Sequence, residues 1–349
     1  MNDESSDQAQ TDGRPRGGLG RFFKRLMMAF AGLAAAGVAA GVAGYVWLGH
    51  AFNQPGPAEE DAVVLLPRGA GLASIAAQLE REDLVSNGLI FRINVMLDGG
   101  ERSLRAGEYA IPENASMAEI YDILRFGETI HYPVTAPEGL TSAMIVAIVE
   151  EEPVLTGEIE TVPAEGSLLP ETYMVTRGTE RQAVIDRMAA AQDALMDELW
   201  AERASDLPFD TREEALILAS IVEKETGVPE ERPLVAGVFT NRLRRGMRLQ
   251  SDPTIIYGLT QGEPLGRGLR RSELDDVDNP YNTYQIRGLP PTPIANPGRE
   301  SIAAVLNPPE TDFLYFVADG TGGHAFAETI SEHNRNVARW RRIEREAEG

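Results

Sequence analysis

The 349-residue chain contains no cysteine, and this absence removes several kinds of chemistry at once. Without a thiol there can be no disulfide, no zinc–thiolate site and no cysteine nucleophile. Four histidines occur at scattered positions, and none belongs to an HExxH motif or to another metal-ligand spacing. The sequence therefore predicts no metal and no cofactor. A chain without cysteine is also compatible with an oxidising compartment.

The signature motifs of several enzyme classes are missing as well. The chain has no GxSxG nucleophile elbow, no SxxK motif of penicillin-binding transpeptidases and no phosphate-binding P-loop. The glycine run at residues 319–323 lies between two predicted strands, and no helix begins at its end, so we interpret it as a hairpin tip. Carboxylates remain as the candidate reactive groups, and the chain contains 54 acidic residues.

Charge is distributed unevenly along the chain. The formal net charge is −22, but residues 1–25 carry a net +1 and residues 26–48 carry no charge, so residues 49–349 carry −23. Such a surface repels nucleic acid and anionic lipid headgroups. The sequence therefore predicts no nucleic-acid partner, and it leaves a neutral or zwitterionic polymer open as a ligand.

The uncharged run at residues 26–48 is long enough to cross a bilayer as a helix. Basic residues precede it, and Tyr45 and Trp47 stand at its far end, where aromatic side chains meet the membrane surface. The positive-inside rule places residues 1–25 in the cytoplasm, disordered over residues 1–20. A cleaved signal peptide is the alternative, which the length of the run disfavours. Residues 49–61 are predicted to form a linker.

Three short units of strand, turn and helix are predicted between residues 62 and 150. In each unit an apolar pair falls 8 and 12 residues after a proline, at Pro67, Pro112 and Pro137. This similarity indicates either a duplication or a chance agreement in turn chemistry. Helices and a terminal hairpin are predicted farther along, so the chain belongs to the α+β fold class. The predicted helices span about residues 180–203, 213–227 and 230–245, and the hairpin strands span residues 313–317 and 324–327.

One carboxylate is distinguished by its position on the predicted helix at residues 213–227. At about 100° per residue, Glu225 shares an apolar face with Leu218 and Ile221, whereas Glu223 points about 160° away from Glu225. Desolvation and the negative end of the helix dipole should both raise the pKa of Glu225. A carboxyl group protonated near neutral pH suits general-acid catalysis on an acetal. The alternative is a solvated glutamate at a frayed helix end.

Several motifs occur in a fixed order along the chain. They include EG at residues 165–166, PETY at 170–173, LASIVEKET at 218–226, FTNRL at 239–243, GMRLQSDPT at 246–254, YNTY at 281–284, GLPP at 288–291 and YFVADG at 315–320. In this order they resemble the endolytic murein transglycosylase family (MltG, YceG-like), over about residues 60–340. Two positions depart from the family pattern. Glu171 stands where the family usually has aspartate, and Asn296 precedes Pro297 where other small or polar residues occur.

The resemblance implies a single-pass protein of the inner membrane with its N-terminus in the cytoplasm. A LysM-like α/β subdomain is implied at residues 62–130, followed by a mixed α/β periplasmic catalytic domain at residues 131–345. The implied reaction cleaves the β-1,4 bond between N-acetylmuramic acid and N-acetylglucosamine in nascent peptidoglycan strands. It leaves a 1,6-anhydro-muramyl end and terminates elongation. Peptidoglycan synthases are the implied protein partners.

The resemblance also implies a catalytic residue. The family's catalytic glutamate is the second of its Glu-Lys-Glu-Thr motif and aligns with Glu225, with Glu223 as the reserve candidate. Two other functions remain open: a non-catalytic peptidoglycan-binding scaffold of the cell-wall synthesis machinery, and a hydrolase that uses a second carboxylate such as Asp252. The candidates for holding sugar rings or an oxocarbenium-like charge, or for scaffolding the loops, are Gln250, Asp252, Asn282 and Tyr284.

Overall fold

The structure is a computed structural model that describes residues 18–348. The chain divides into two compact units, residues 1–130 and 131–349. Most of the predicted disordered tail lies outside the described residues. Residues 18–20 lie within them and are helical, so the prediction of disorder is wrong there. The described part of the first helix starts at Gly18 and continues without interruption to Phe52.

Unit 1 joins a long N-terminal helix to a small α/β core. β1 and β2 pair antiparallel with Val64 opposite Tyr109, and alternate side chains of β1 face the core. Phe91 and Leu124 from two of the helices are fully buried against this sheet. The elements are α1 (Gly18–Phe52), β1 (Ala62–Leu66), α2 (Leu72–Arg81), α3 (Gly88–Leu97), β2 (Gly107–Ile111) and α4 (Met117–Phe126).

α1 is long and apolar enough to cross a membrane over Phe22–Phe52, and none of its most apolar window is buried inside the protein. It continues four residues past the predicted end of the apolar run. The segment predicted as a linker, residues 49–61, is tied to unit 1. The backbone N–H of Gly56 donates to the carbonyl of Asn114 (3.0 Å), and the N–H of Asn114 donates to Ala58 (2.7 Å). This segment is therefore part of unit 1.

The three predicted strand–turn–helix units share one turn conformation. The third turn residue, Gly69, Asn114 or Gly139, has a φ of +79°, +55° or +75° respectively. Glycine and asparagine tolerate this left-handed conformation better than other residues do. The similarity in the sequence therefore reflects a shared turn. The first two units belong to unit 1, and the third opens unit 2.

Unit 2 is a mixed helical and β unit, which confirms the α+β class. β3 pairs antiparallel with β5, β4 pairs parallel with β6, and β7 pairs antiparallel with β8. The predicted long helices correspond to α6, α7 and α8, with boundaries within two residues. The elements are β3 (Tyr132–Thr135), α5 (Ser142–Glu151), β4 (Leu155–Thr156), β5 (Thr172–Val175), β6 (Thr179–Glu180), α6 (Arg181–Ala201), α7 (Arg212–Glu225), α8 (Arg232–Arg244), α9 (Asp252–Thr260), α10 (Arg271–Leu274), α11 (Arg299–Leu306), β7 (Tyr315–Ala318), β8 (His324–Ala327) and α12 (Ile330–Glu348).

α7 is the central helix of unit 2. It begins with a capping box, in which the hydroxyl of Thr211 accepts from the Glu214 N–H (3.2 Å) and the Glu214 carboxylate accepts from the Thr211 N–H (3.0 Å). Every residue from 217 to 222 is buried. The prediction of a single apolar face was therefore incomplete, because α8 and α11 pack against the helix and its small residues Ala219 and Ser220 are fully buried as well.

The proline-rich loop at residues 288–298 is anchored on this helix and on a buried amide. The hydroxyl of Ser220 accepts from the backbone N–H of Ile294 (3.0 Å). The side chain of Asn296 is fully buried, and its Oδ1 accepts from the N–H of Leu168 (3.0 Å). Asn296, one of the two departures from the family pattern, therefore holds the loop in place.

We expect Asn296→Ala to destabilise unit 2 by about 1–3 kcal/mol, because it leaves buried backbone groups without a hydrogen-bond partner. Thermal unfolding of the detergent-solubilised chain would measure the change. Asn334→Ala is the matched control, because Asn334 is exposed, and it should leave the melting temperature almost unchanged. Equal melting temperatures for both variants would show that the loop does not depend on the amide.

Candidate active site

A cleft of about 570 Å³ lies at the C-terminal end of α7. Glu225, the last residue of that helix, is half-buried and contributes its carboxyl group to the cleft. The other walls come from α8, the turn before α9, the loop after α10, strand β7 and helix α12. The lining residues are Glu225, Arg242, Leu249, Gln250, Asp252, Tyr284, Tyr315, Phe316, Val317, Ile330, His333, Asn334 and Val337.

Burial raises the pKa of Glu225 to about 7. The side chain of Ser251 offsets part of this rise, and the negative charge of Asp252 adds to it. Attraction to His324 and Arg242 lowers the pKa by smaller amounts. Near neutral pH a substantial fraction of Glu225 therefore carries a proton. The rise in the pKa of Glu225 agrees in direction with the prediction from the helix pattern.

Glu223 lies in a different environment from Glu225, as the helix geometry predicted. Its side chain is 6% exposed and its Oε1 lies 3.5 Å from the guanidinium of Arg232. Its Oε2 accepts from the backbone N–H of Gly298 (3.0 Å). Glu223 does not line the cleft. It acts instead as a buried ion pair that braces the end of the proline-rich loop.

Three of the four predicted binding residues line the same cleft as Glu225. The hydroxyl of Tyr284 donates to Oδ1 of Asp252 (2.7 Å). Burial raises the pKa of Tyr284, and this hydrogen bond raises it further, so the phenol keeps its proton. Gln250 has a φ of +54°, and its N–H donates to the carbonyl of Thr283 (3.1 Å). A strained conformation of this kind is common at binding sites.

Asn282 is the fourth predicted residue, and it does not line the cleft. Its side chain is fully buried, and its Nδ2 donates to the carbonyls of Asp276 (2.7 Å) and Glu273 (3.1 Å). Its Oδ1 accepts from the backbone N–H of Tyr284 (3.0 Å). The geometry therefore makes Asn282 a scaffold residue that positions Tyr284.

Sequence reasoning missed nine of the residues that line the cleft, among them Arg242, Tyr315 and His333. Arg242 is buried and donates to the carbonyls of Leu314 (2.7 Å) and Leu249 (2.6 Å), and its guanidinium lies 5.3 Å from the centre of the Tyr315 ring. His333 stacks on the same ring, with centroids 5.2 Å apart. Burial lowers the pKa of both Arg242 and His333. Arg242 and Tyr315 lie within motifs that the resemblance used, but no local pattern marks them as cleft residues.

A second carboxyl group, that of Glu165, lines a separate cavity of about 500 Å³ with Tyr257 and Tyr281. Burial raises the pKa of Glu165 to about 7 as well. Both of its oxygens lie 3.2 Å from the backbone N–H of Ser142, at the start of α5. Glu165 thus caps a helix, whereas Glu225 faces other polar side chains across a cleft. Within the part of the chain that the structure describes, no cluster of three or more His, Asp or Glu residues could hold a metal ion.

The fold and the cleft define a mixed α+β protein whose candidate site is built around a carboxyl group with a raised pKa. A model of the YceG-like family matches residues 64–339, and the chain belongs to this family. It is 32% identical over 321 residues to the endolytic murein transglycosylase of Streptococcus pneumoniae serotype 2, which covers 78% of this chain. The chain spans 57% of the length of that relative.

Two further comparisons cover more of the other protein. The endolytic murein transglycosylase of Bacillus subtilis is 28% identical over 315 residues, covering 80% of this chain and 86% of that protein. A crystal structure of a yceG-like protein from Listeria monocytogenes is 30% identical in sequence and covers 79% of this chain and 98% of its own, with a TM-score of 0.49.

The raised pKa makes the stability of the protein depend on pH in a definite direction. The pKa of Glu225 is about 7 in the folded protein, against 4.5 as the reference for an exposed glutamate. Between these values the folded state keeps a proton that the unfolded state has lost, so stability falls as pH rises. Glu225→Gln should therefore match the wild type at about pH 4 and exceed its stability by about 1–3 kcal/mol at about pH 8.

Melting temperatures measured across this pH range would test the expectation. Glu223→Gln is the matched control, because it removes one partner of a buried ion pair and should destabilise the protein at neutral pH. If Glu225→Gln also lowered the melting temperature at about pH 8, the carboxyl group would not be held in a desolvated position.

Proposed function

We propose that this protein is an endolytic lytic transglycosylase that cleaves the MurNAc–GlcNAc β-1,4 bond in nascent peptidoglycan strands. The observation that carries the proposal is the carboxyl group of Glu225, with a pKa of about 7, in a cleft lined by polar side chains. The names of the pneumococcal and Bacillus relatives support the choice of substrate. A neutral polymer is also compatible with the net negative charge of the chain.

In the proposed reaction Glu225 acts first as an acid and then as a base. Its proton passes to the glycosidic oxygen as the bond from that oxygen to C1 of the muramyl residue breaks. The resulting carboxylate takes the proton of the C6 hydroxyl, and the C6 oxygen closes onto C1. The product ends in a 1,6-anhydro ring, Glu225 regains its proton and no water is consumed. One carboxyl group is therefore sufficient.

Asp252 and Tyr284 are the candidates for stabilising the positive charge that develops at C1. The Tyr284 hydroxyl fixes one carboxylate oxygen of Asp252, while Gln250 offers an amide to a sugar hydroxyl or acetamido group. A hydrolase is the second candidate function, because Asp252 is a second carboxylate in the cleft that could activate water. The two reactions differ in product mass by one water molecule.

We further propose that α1 anchors the protein in the inner membrane with its N-terminus in the cytoplasm. Residues 62–130 would form a LysM-like subdomain and residues 131–345 the catalytic domain, both in the periplasm. The long apolar helix and the basic residues before it support this arrangement. Peptidoglycan synthases are the proposed partners, because nascent strands are present where synthases act.

Removing the proton donor should abolish the reaction. We expect Glu225→Gln to lower the rate of anhydro-muropeptide release by about 10²- to 10⁴-fold, because general-acid catalysis is lost. Mass spectrometry of products from uncross-linked glycan strands, with the full chain in detergent, would measure it. Glu165→Gln is the matched control, since Glu165 has a similar pKa in another cavity, and this variant should keep most of the activity.

Each alternative outcome has a distinct meaning. Products that carry an added water would identify a hydrolase, and an inactive wild type that still binds strands would identify a scaffold. Loss of activity in Glu165→Gln with retention in Glu225→Gln would move the site to the other cavity.

The rate should also depend on pH through Glu225. Because the protonated carboxyl group is the active form, kcat/KM should fall above about pH 7. Asp252 raises the pKa of Glu225, so Asp252→Asn should move this fall to lower pH, whatever its effect on the maximal rate. Initial rates across the pH range would measure the shift. If kcat/KM of Asp252→Asn fell at the same pH as in the wild type, or at a higher pH, the assignment of Glu225 as the acid would be contradicted.

A further inference from the structure

Helix α3 of unit 1 has apolar residues on two sides. One side, which includes Phe91, is fully buried in the core of unit 1. On the opposite side four apolar residues fall within an arc of about 100°, at about 100° per residue. We call this side the outer face of α3. It is formed by Leu89, Ile93, Met96 and Leu97.

The outer face of α3 is not covered by the rest of unit 1. Leu89 is 61% exposed, Met96 is 49% exposed and Leu97 is 60% exposed, even with α1 in place. The helix has ten residues, which is too short to cross a bilayer. A short helix that is apolar on both sides needs a second apolar environment for its exposed side.

The membrane-crossing helix contacts α3 directly. The rings of Phe52 at the end of α1 and Phe91 of α3 lie with centroids 6.2 Å apart. Partial burial of α1 begins at Leu48, next to the exposed Trp47. From Trp47 to Phe52 a helix rises only about 7–8 Å, at 1.5 Å per residue. α3 therefore packs within about two helical turns of the level at which Trp47 marks the membrane surface.

Among the described residues, no free spacer separates α1 from the small α/β core of unit 1. The hydrogen bonds from Gly56 and to Ala58 tie the intervening segment to the turn at Asn114. Unit 1 therefore cannot move away from the bilayer on a flexible tether. The outer face of α3 keeps a fixed short distance from the lipid.

The charges beside the outer face also suit a lipid surface. Arg92 is exposed at its edge, where a long side chain can lay its apolar part on lipid and reach a phosphate with its guanidinium. Asp98, at the end of the helix, is paired with Arg125 (2.8 Å) and so opposes this contact less.

We propose that the outer face of α3 inserts into the interfacial layer of the membrane that α1 crosses. Leu89, Met96 and Leu97 lie among the upper acyl chains, and unit 1 is held against the bilayer by two attachments instead of one. This inference rests on the proposed crossing of the membrane by α1. It assigns α3 a lipid-binding role separate from any binding of glycan by unit 1.

Fluorescence quenching in vesicles tests the proposal, and the absence of cysteine makes single labels straightforward. Leu89→Cys and Leu97→Cys variants of the full chain would each carry an environment-sensitive nitrobenzoxadiazole label. The chains would be reconstituted into phosphatidylethanolamine–phosphatidylcholine vesicles with nitroxide-labelled lipids. We expect both labels to be quenched at a shallow depth, about 5–10 Å below the headgroups. A label at Val38→Cys, in the middle of α1, should be quenched most by deep nitroxides.

A charged variant serves as the matched control. Adding Leu89→Asp and Met96→Asp should greatly reduce the quenching of the Leu97→Cys label and leave the Val38→Cys label unchanged. Both residues are exposed, so the melting temperature in detergent should not fall. Quenching at Val38 without quenching at residues 89 and 97 would overturn the proposal, keep the membrane crossing and indicate a protein partner for the face. An unquenched Val38 label would overturn both the crossing and the lipid contact.

Discussion

The desolvation of one carboxyl group, that of Glu225, is the constraint on which the site depends. A glutamate in water is almost fully ionised at neutral pH, and only a rigid surrounding can keep it otherwise. α7 provides this rigidity because α8, α9 and α11 pack against it and its residues 217–222 are buried, so its last residue is held at a fixed position in the cleft wall. α7 therefore ends at the carboxyl group whose protonation state matters.

The two glutamates of the motif show how similar residues acquire different properties. Glu223 lies 3.5 Å from Arg232 and forms a buried ion pair with it. Arg242 lies in the cleft of Glu225, but it donates to the carbonyl of Leu314 and to a second backbone carbonyl. The attraction to Arg242 has the smallest effect on the pKa of Glu225, and desolvation has the largest. Burial therefore dominates.

Local periodicity was sufficient to predict α7 and the environment of Glu225, because both depend on neighbours within one helix. It could not predict Arg242 as a cleft residue, since that depends on a hydrogen bond to Leu314, 72 residues away. The hairpin strand predicted at residues 313–317 is β7, which spans Tyr315–Ala318 and is half-buried because it lines the cleft. Local periodicity also gave no role to Ser220, because its hydroxyl accepts from the backbone N–H of the distant Ile294.

The YNTY motif at residues 281–284 shows why scaffolding and binding were both reasonable predictions for it. Asn282 and Thr283 are fully buried, and the Thr283 hydroxyl accepts from the N–H of Ser251 (2.9 Å). Tyr284 faces the cleft of Glu225, while Tyr281 lines the separate cavity. Asn282 and Thr283 thus fix the turn that presents Gln250 and Asp252. Tyr281 and Tyr284 each form part of the wall of one cavity. Without regular structure in these loops, only such buried hydrogen bonds can keep Tyr284 and Asp252 in contact across the cleft.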